Sequence, residues 1–159
     1  MKAVIQRVKN ASVTVDNEVK GSVEQGFLVL LGVEQGDDYA DAEILAAKVA
    51  NLRVFSDEND KMNLSVLDID GGILVISNFT ICADHKKGNR PSFTGAAAPD
   101  SANMLYEYFV AELKRCGVKR VEKGVFGADM AVSLLNDGPV TIILDTATWI
   151  KKEKTSKEK

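Results

Sequence analysis

With 159 residues, 45% of them hydrophobic, the chain has the size of one compact domain that buries its own core without disulfide or metal staples. A net charge of −3 argues against a protein that coats nucleic acid through a broad basic surface, because such binding relies on many cations displacing counterions. No apolar run nears the roughly 20 residues that span a bilayer, and the first residues read as an amphipathic strand rather than a signal peptide, so a cytoplasmic protein with no membrane partner is expected.

In chain order, strands are expected at residues 2–8, 11–15 and 26–33 from their β-branched content, with Asn10, Asp16-Asn17 and Gly21 punctuating a hairpin-like region. A helix should start at Asp37 or Asp38, since Asp41 and Glu43 suit its opening turns and Leu45, Val49 and Leu52 recur on one face. That apolar stripe must pack on a sheet. A buried strand follows at 73–79. The second helix is expected after Pro99 with Asp100 or Ser101 as cap, turning Leu105, Tyr108, Phe109, Leu113 and Cys116 inward and stopping at Gly117. Two last strands, 130–135 and 140–146, complete the pattern. Few helices among many strands, not in regular alternation, predict an α+β single domain: a strongly curved, barrel-like mixed or antiparallel sheet with two main helices packed on it. The domain is placed at residues 1–150. Residues 151–159, with five lysines and two glutamates, form a flexible lysine-rich tail that leaves the body at −6.

Cys82 and Cys116 are too few for a disulfide framework and read as packed thiols of a reducing compartment. Cys82 lies three residues before His85, the only histidine, so a Cys–His nucleophile or half of a metal site can be imagined. That spacing at a strand end does not make the side chains face each other, and zinc would need ligands the chain lacks. No metal and no cofactor is expected.

Two polar stations close apolar runs: Ser77-Asn78-Phe79-Thr80-Ile81 and Asn136-Asp137-Gly138-Pro139-Val140-Thr141. Their local chemistry favours an ordinary reading, because Asp-Gly between apolar runs signals a hairpin and Ser, Asn and Thr often finish strands. Their pairing points elsewhere. The first resembles the Ser-Gln-Phe-Thr-Leu motif, and the second matches the Asn-x-Gly-Pro-Val-Thr motif, of the D-aminoacyl-tRNA deacylases, also known as the D-tyrosyl-tRNA deacylase family. The resemblance runs over about residues 1–146. It takes in Gln6-Arg7-Val8, the segment Lys86-Lys87-Gly88-Asn89-Arg90-Pro91-Ser92-Phe93, and Gly124-Val125-Phe126-Gly127 ahead of Met130.

The resemblance implies a curved α+β fold, a homodimer with active sites at the subunit interface, and hydrolysis of the ester joining a D-amino acid to the terminal ribose of a tRNA. Such an ester of a vicinal diol is already activated, so modest catalytic help suffices. No Gly-x-Ser-x-Gly elbow or Ser-His-Asp set is present. The candidate catalytic residues are Thr80, Ser77, Phe79 and Asn78. Thr80 is read as positioning the ester or the attacking water rather than as a covalent nucleophile, with the neighbouring 2′-hydroxyl of the RNA assisting, and backbone donors at Phe79 and Thr80 stabilising the oxyanion. Ser77 supports the turn, and Phe79 walls the adenine or fills core. Asn78 departs from the usual Gln and is one methylene shorter.

Substrate-binding candidates implied by the resemblance are Gly138, Pro139, Asn136, Val140, Thr141, Arg7 and Met130. A cis Gly138-Pro139 turn would enter the partner's site, present two carbonyl oxygens to the substrate's α-ammonium and fill the space an L side chain requires. Glycyl-tRNA would pass this filter. Arg7 would brace the turn, although an arginine on an edge strand more often serves as a surface or interface charge. Lys86, Lys87 and Arg90 form a basic loop suited to a phosphate-bearing partner, the aminoacylated 3′ end of tRNA. The alternatives are a non-catalytic RNA-binding module and a small-ester hydrolase with a Thr or Cys nucleophile.

Overall fold

The computed structural model describes residues 1–149. The expected lysine-rich tail, 151–159, lies outside the described residues.

Strand β1 (Lys2–Val15) is the organising element. One of its edges pairs antiparallel with β8 (Ala131–Asp145), and the other pairs in succession with β3 (Gly26–Gly32) and β2 (Glu18–Val23). The two segments expected at 2–8 and 11–15 are therefore one strand, and Asn10 lies inside it. What the sequence shows there as punctuation is a bulge, with the β8 register shifting on either side of Val8. An extra residue exchanges the faces of a strand. Ala3 and Ile5 accordingly join one core cluster while Val8, Ala11 and Val13 join another. Asp16 and Asn17 make the β1–β2 turn, both with positive φ, the geometry that matches the twist of a two-residue hairpin. Gly21 is within β2 and does not end it.

β6 (Gly72–Ser77) lies parallel to β3, and β7 (Arg120–Lys123) lies parallel to β6. Parallel neighbours need crossovers. These carry α1 (Tyr39–Asn51) and α2 (Pro99–Arg115), whose buried faces belong with β1, β3 and β6 to the larger apolar cluster. The sheet then curls: Arg120 donates to the Ser22 carbonyl at 3.1 Å, and a Cβ on Gly21 would stand 3.0 Å from the Lys123 carbonyl. The result is the barrel-like mixed sheet expected, with Leu28, Leu74, Ile76 and Val13 packed in the second cluster. Phe55–Ser56 and Met62–Leu64 add a small hairpin, β4–β5, too short to announce itself by periodicity.

α1 starts as anticipated. Asp38 caps it by accepting from the Ala40 and Asp41 N–H groups while Asp41 accepts from the Asp38 N–H, and Leu45 and Val49 are fully buried. α2 differs at its start: the cap position is Ala98 and Pro99 is the first helical residue, where its fixed φ and missing N–H fit, so neither Asp100 nor Ser101 caps it. Phe109 is buried as expected, and the second inward aromatic is Tyr106, whose hydroxyl donates to the Val75 carbonyl at 2.9 Å, while Tyr108 packs on the core half-buried and donates to Glu43 at 2.6 Å. Gly117 ends the helix with φ +105; its N–H reaches the Lys114 carbonyl and that of Val118 reaches Leu113. Among the described residues no helix is long and apolar enough to cross a membrane.

Candidate functional site

The strand expected to run to Phe79 stops at Ser77, which pairs with Leu31. Asn78 still donates its N–H to the Leu31 carbonyl at 2.8 Å, and the chain then tightens into a 3-10 turn, Phe79–Cys82. This tight turn packs directly on Gly32: a Cβ there would lie 3.1 Å from the Cys82 sulfur and 3.3 Å from the Asn78 carbonyl. The turn lifts Phe79 and Thr80 off the sheet, so both are exposed. The Thr80 hydroxyl donates to the side-chain oxygen of Asn78. Phe79 meets Phe93 edge to face, with ring centroids 5.1 Å apart.

Ser77, Asn78, Phe79 and Thr80 border a groove of about 1020 Å³. Its floor is the barrel-side surface formed by Leu28, Leu30, Ile76, Val132 and Leu134, with Met130 beside them and Gln6 supplying an amide. The far wall is Phe93, the run Ala96–Ala98 and Pro99, and Phe126, which packs on Tyr106. A concave, largely apolar groove with a few convergent polar groups is what a small-molecule or nucleotide end requires. The sequence placed the first station and Met130 near chemistry, whereas Gln6 entered only as part of a matching segment with no role of its own, and the alanine wall carried no signal. These become neighbours only when the loops before α2 and before β8 close over the sheet.

The basic loop rises beside this groove. Asp84 and Ser92 exchange two backbone hydrogen bonds of 2.7 and 2.8 Å across its neck, and Lys86, Lys87 and Arg90 are exposed at its tip. Gly88, φ +66, turns it. His85 is exposed at the base of the loop, whereas Cys82 is buried and donates its thiol to the Val33 carbonyl at 3.6 Å. Burial, with Glu34 beside it, pushes the Cys82 thiol up from its ordinary value, the direction opposite to what an activated nucleophile needs. Cys116 is half-buried and also raised by burial.

The second station is neither a hairpin nor a strand end. β8 runs through it, and residues 136–141 arch out as a wide bulge opposite Gln6, Arg7 and Val8. Asn136 clasps the arch by accepting from the Val140 N–H at 3.1 Å and donating to the Thr141 hydroxyl at 3.3 Å. Arg7, in the paired β1 and not on an edge, is buried; it donates to the Asp137 carbonyl at 3.1 Å and to the Val54 carbonyl at 2.6 Å, with the Asp137 carboxylate 3.5 Å away. Gly138 and Pro139, joined by a cis peptide bond, are exposed at the crest. Arg7 and the second station are thus brought together. They do not line the groove that holds Thr80.

The sequence profile of a family described as D-Tyr-tRNA(Tyr) deacylase matches residues 4–145. A D-aminoacyl-tRNA deacylase of Koribacter versatilis (strain Ellin345) is 56% identical over 146 residues, spanning 92% of this chain and 97% of that protein. Among solved structures, the c-Myc DNA Unwinding Element Binding Protein superposes with a TM-score of 0.87 at 41% identity, over 91% of this chain and 98% of that one. A structure described as a probable eukaryotic D-amino acid tRNA deacylase reaches 0.77 at 16% identity, over 91% and 98%, which shows the shared fold.

Proposed function

The chain belongs to the D-Tyr-tRNA(Tyr) deacylase family, and we propose from this that it hydrolyses the ester between a D-amino acid and the terminal adenosine of tRNA, releasing both. It is an ester hydrolase with D-aminoacyl-tRNA deacylase activity, a proofreading step in translation. The observation that carries the reading to a site is the exposed Thr80 turn on the rim of a groove large enough for a nucleotide end. In this reading the ring of Phe79 or Phe93 takes the adenine face, and the first two N–H groups of the 3-10 turn, which have no partner inside it, meet the oxyanion of the tetrahedral intermediate. Lys86, Lys87 and Arg90 receive tRNA phosphates, which position without specifying sequence. Both thiols are unbridged, in keeping with a cytoplasmic protein.

Chirality is assigned to the second station. Gly138 and Pro139 do not line the groove of their own chain, which supports a reading in which a second copy supplies them and the protein acts as a homodimer. The carbonyl oxygens of that turn face the substrate's α-ammonium and take the place an L side chain would need, leaving a D side chain free and glycine unopposed. Selection is then by rejection and indifferent to the identity of the D residue. The test is deacylation of matched D-, L- and glycyl-tRNA by the purified chain. Rapid loss of the D and glycyl esters with the L ester spared is expected; equal D and L rates, or binding without turnover, would overturn the assignment.

A further inference from the structure

We propose that Asn78 is a positioning residue that fixes the Thr80 hydroxyl as a hydrogen-bond acceptor toward the groove. The proposal rests on the deacylase reading above and adds to it how Asn78 prepares Thr80.

Asn78 precedes a helical turn in extended conformation, φ −145 and ψ 90, the place where an Asn side chain ordinarily accepts from one of the first free backbone N–H groups. Here it makes no such bond. Its side-chain oxygen accepts the Thr80 hydroxyl instead. The arrangement is anchored at its base, since the Asn78 N–H completes the ladder to Leu31 at 2.8 Å and its carbonyl accepts from the Ile81 N–H at 3.4 Å.

A hydroxyl has one proton to give and two lone pairs. With that proton committed to Asn78, Thr80 meets the groove with lone pairs only, and it receives a hydrogen bond from the attacking water or from a ribose hydroxyl. The partner holding the proton is an amide carbonyl, which is not a base, so this geometry generates no alkoxide and gives Thr80 no covalent step. With its side chain turned to Thr80, Asn78 makes no capping bond to the turn, and the N–H groups of Phe79 and Thr80 stay free of it.

The experiment is a double-mutant cycle on D-aminoacyl-tRNA deacylation with the full chain. Asn78→Ala is expected to lower kcat about tenfold with KM for the tRNA unchanged, the size of one lost positioning hydrogen bond. Thr80→Val carrying Asn78→Ala should be no slower than Thr80→Val alone, since the second change removes a side chain whose partner has gone. Additive losses would overturn the proposal. Asn78→Asp presents nothing but acceptors while it is ionised and gains an O–H donor that competes for the Thr80 lone pairs once protonated, so its rate should hold near neutrality and gain an acid limb that the parent lacks; identical pH profiles would count against it. If the parent fails to deacylate, the functional reading falls, and the positioning role is decided separately by three-bond NMR couplings of Thr80. A single χ1 rotamer in the parent that becomes averaged in Asn78→Ala supports it, and averaging already in the parent refutes it.

Discussion

At the scale of single residues, Gly138 is the position where backbone geometry and selectivity meet. Its φ of +131 is open to glycine alone at low cost, and a Cβ would stand 3.0 Å from the Val140 side chain and 3.1 Å from an Arg7 guanidinium nitrogen. Gly138→Ala should therefore tilt the crest of the arch and reduce D-substrate hydrolysis, or its preference over L, far more than tRNA affinity. Retained rate and retained D over L ratio in a folded dimer would make the arch a structural feature only. Thr80→Ala should leave a reduced but measurable turnover, about tenfold down if one hydrogen bond of about 1.4 kcal/mol is lost. Cys82→Ala and His85→Ala should change turnover little, because the buried thiol is raised and the histidine is exposed at the base of the basic loop. Mass spectrometry of a quenched reaction checks the point, an aminoacyl adduct on Thr80 being the contrary result.

At the scale of elements, the start of α1 couples sequence to stability. Asp38 and Asp41 satisfy each other's backbone N–H groups, and Asp41 also accepts from the Thr146 hydroxyl at 2.7 Å. Burial opposes ionisation of Asp41, yet the Asp38 N–H, the Thr146 hydroxyl and the α-amino charge outweigh it and hold the carboxyl below its ordinary 3.8. A lowered folded pKa stabilises above the unfolded value and ceases to do so as pH falls through the lower one. Asp41→Asn should therefore destabilise at neutral pH and flatten the loss of stability below about pH 4 in acid titrations followed by circular dichroism. Asp38→Ala should cost about 1 kcal/mol in denaturant midpoint experiments, the usual weight of an N-cap.

For the whole molecule, the proposed homodimer can be tested at the outer edge of β8. Among the described residues the strand pairs only with β1, and Leu135 and Ile143 are 52% and 74% exposed on it, a long apolar edge of the kind proteins seldom leave open. Light scattering at micromolar concentration should give about twice the chain mass, as an isologous pair of such edges predicts. Ile143→Lys should shift the mass toward monomer and cost activity with it. A fully active monomer would remove the argument that a second copy supplies Gly138 and Pro139.

The sequence by itself determined the class of fold, the capped start of α1, the glycine stop of α2, and the two polar stations with Arg7 and the basic loop. Those signals are local, carried by periodicity, turn chemistry and motif. It misread continuity: Asn10 and Asn136–Pro139 look like strand breaks, and only pairing along the length of β1 converts them into bulges within long strands. It also missed the buried Tyr106 and gave full weight to Tyr108, which packs on the core only in part, because helix phase depends on how α2 docks. The groove itself, with Gln6, Phe93, Ala97 and Phe126 facing the Thr80 turn, exists only once the sheet has curled and two loops distant in sequence have packed across it, since no local pattern encodes which side chains from separate elements will share one space.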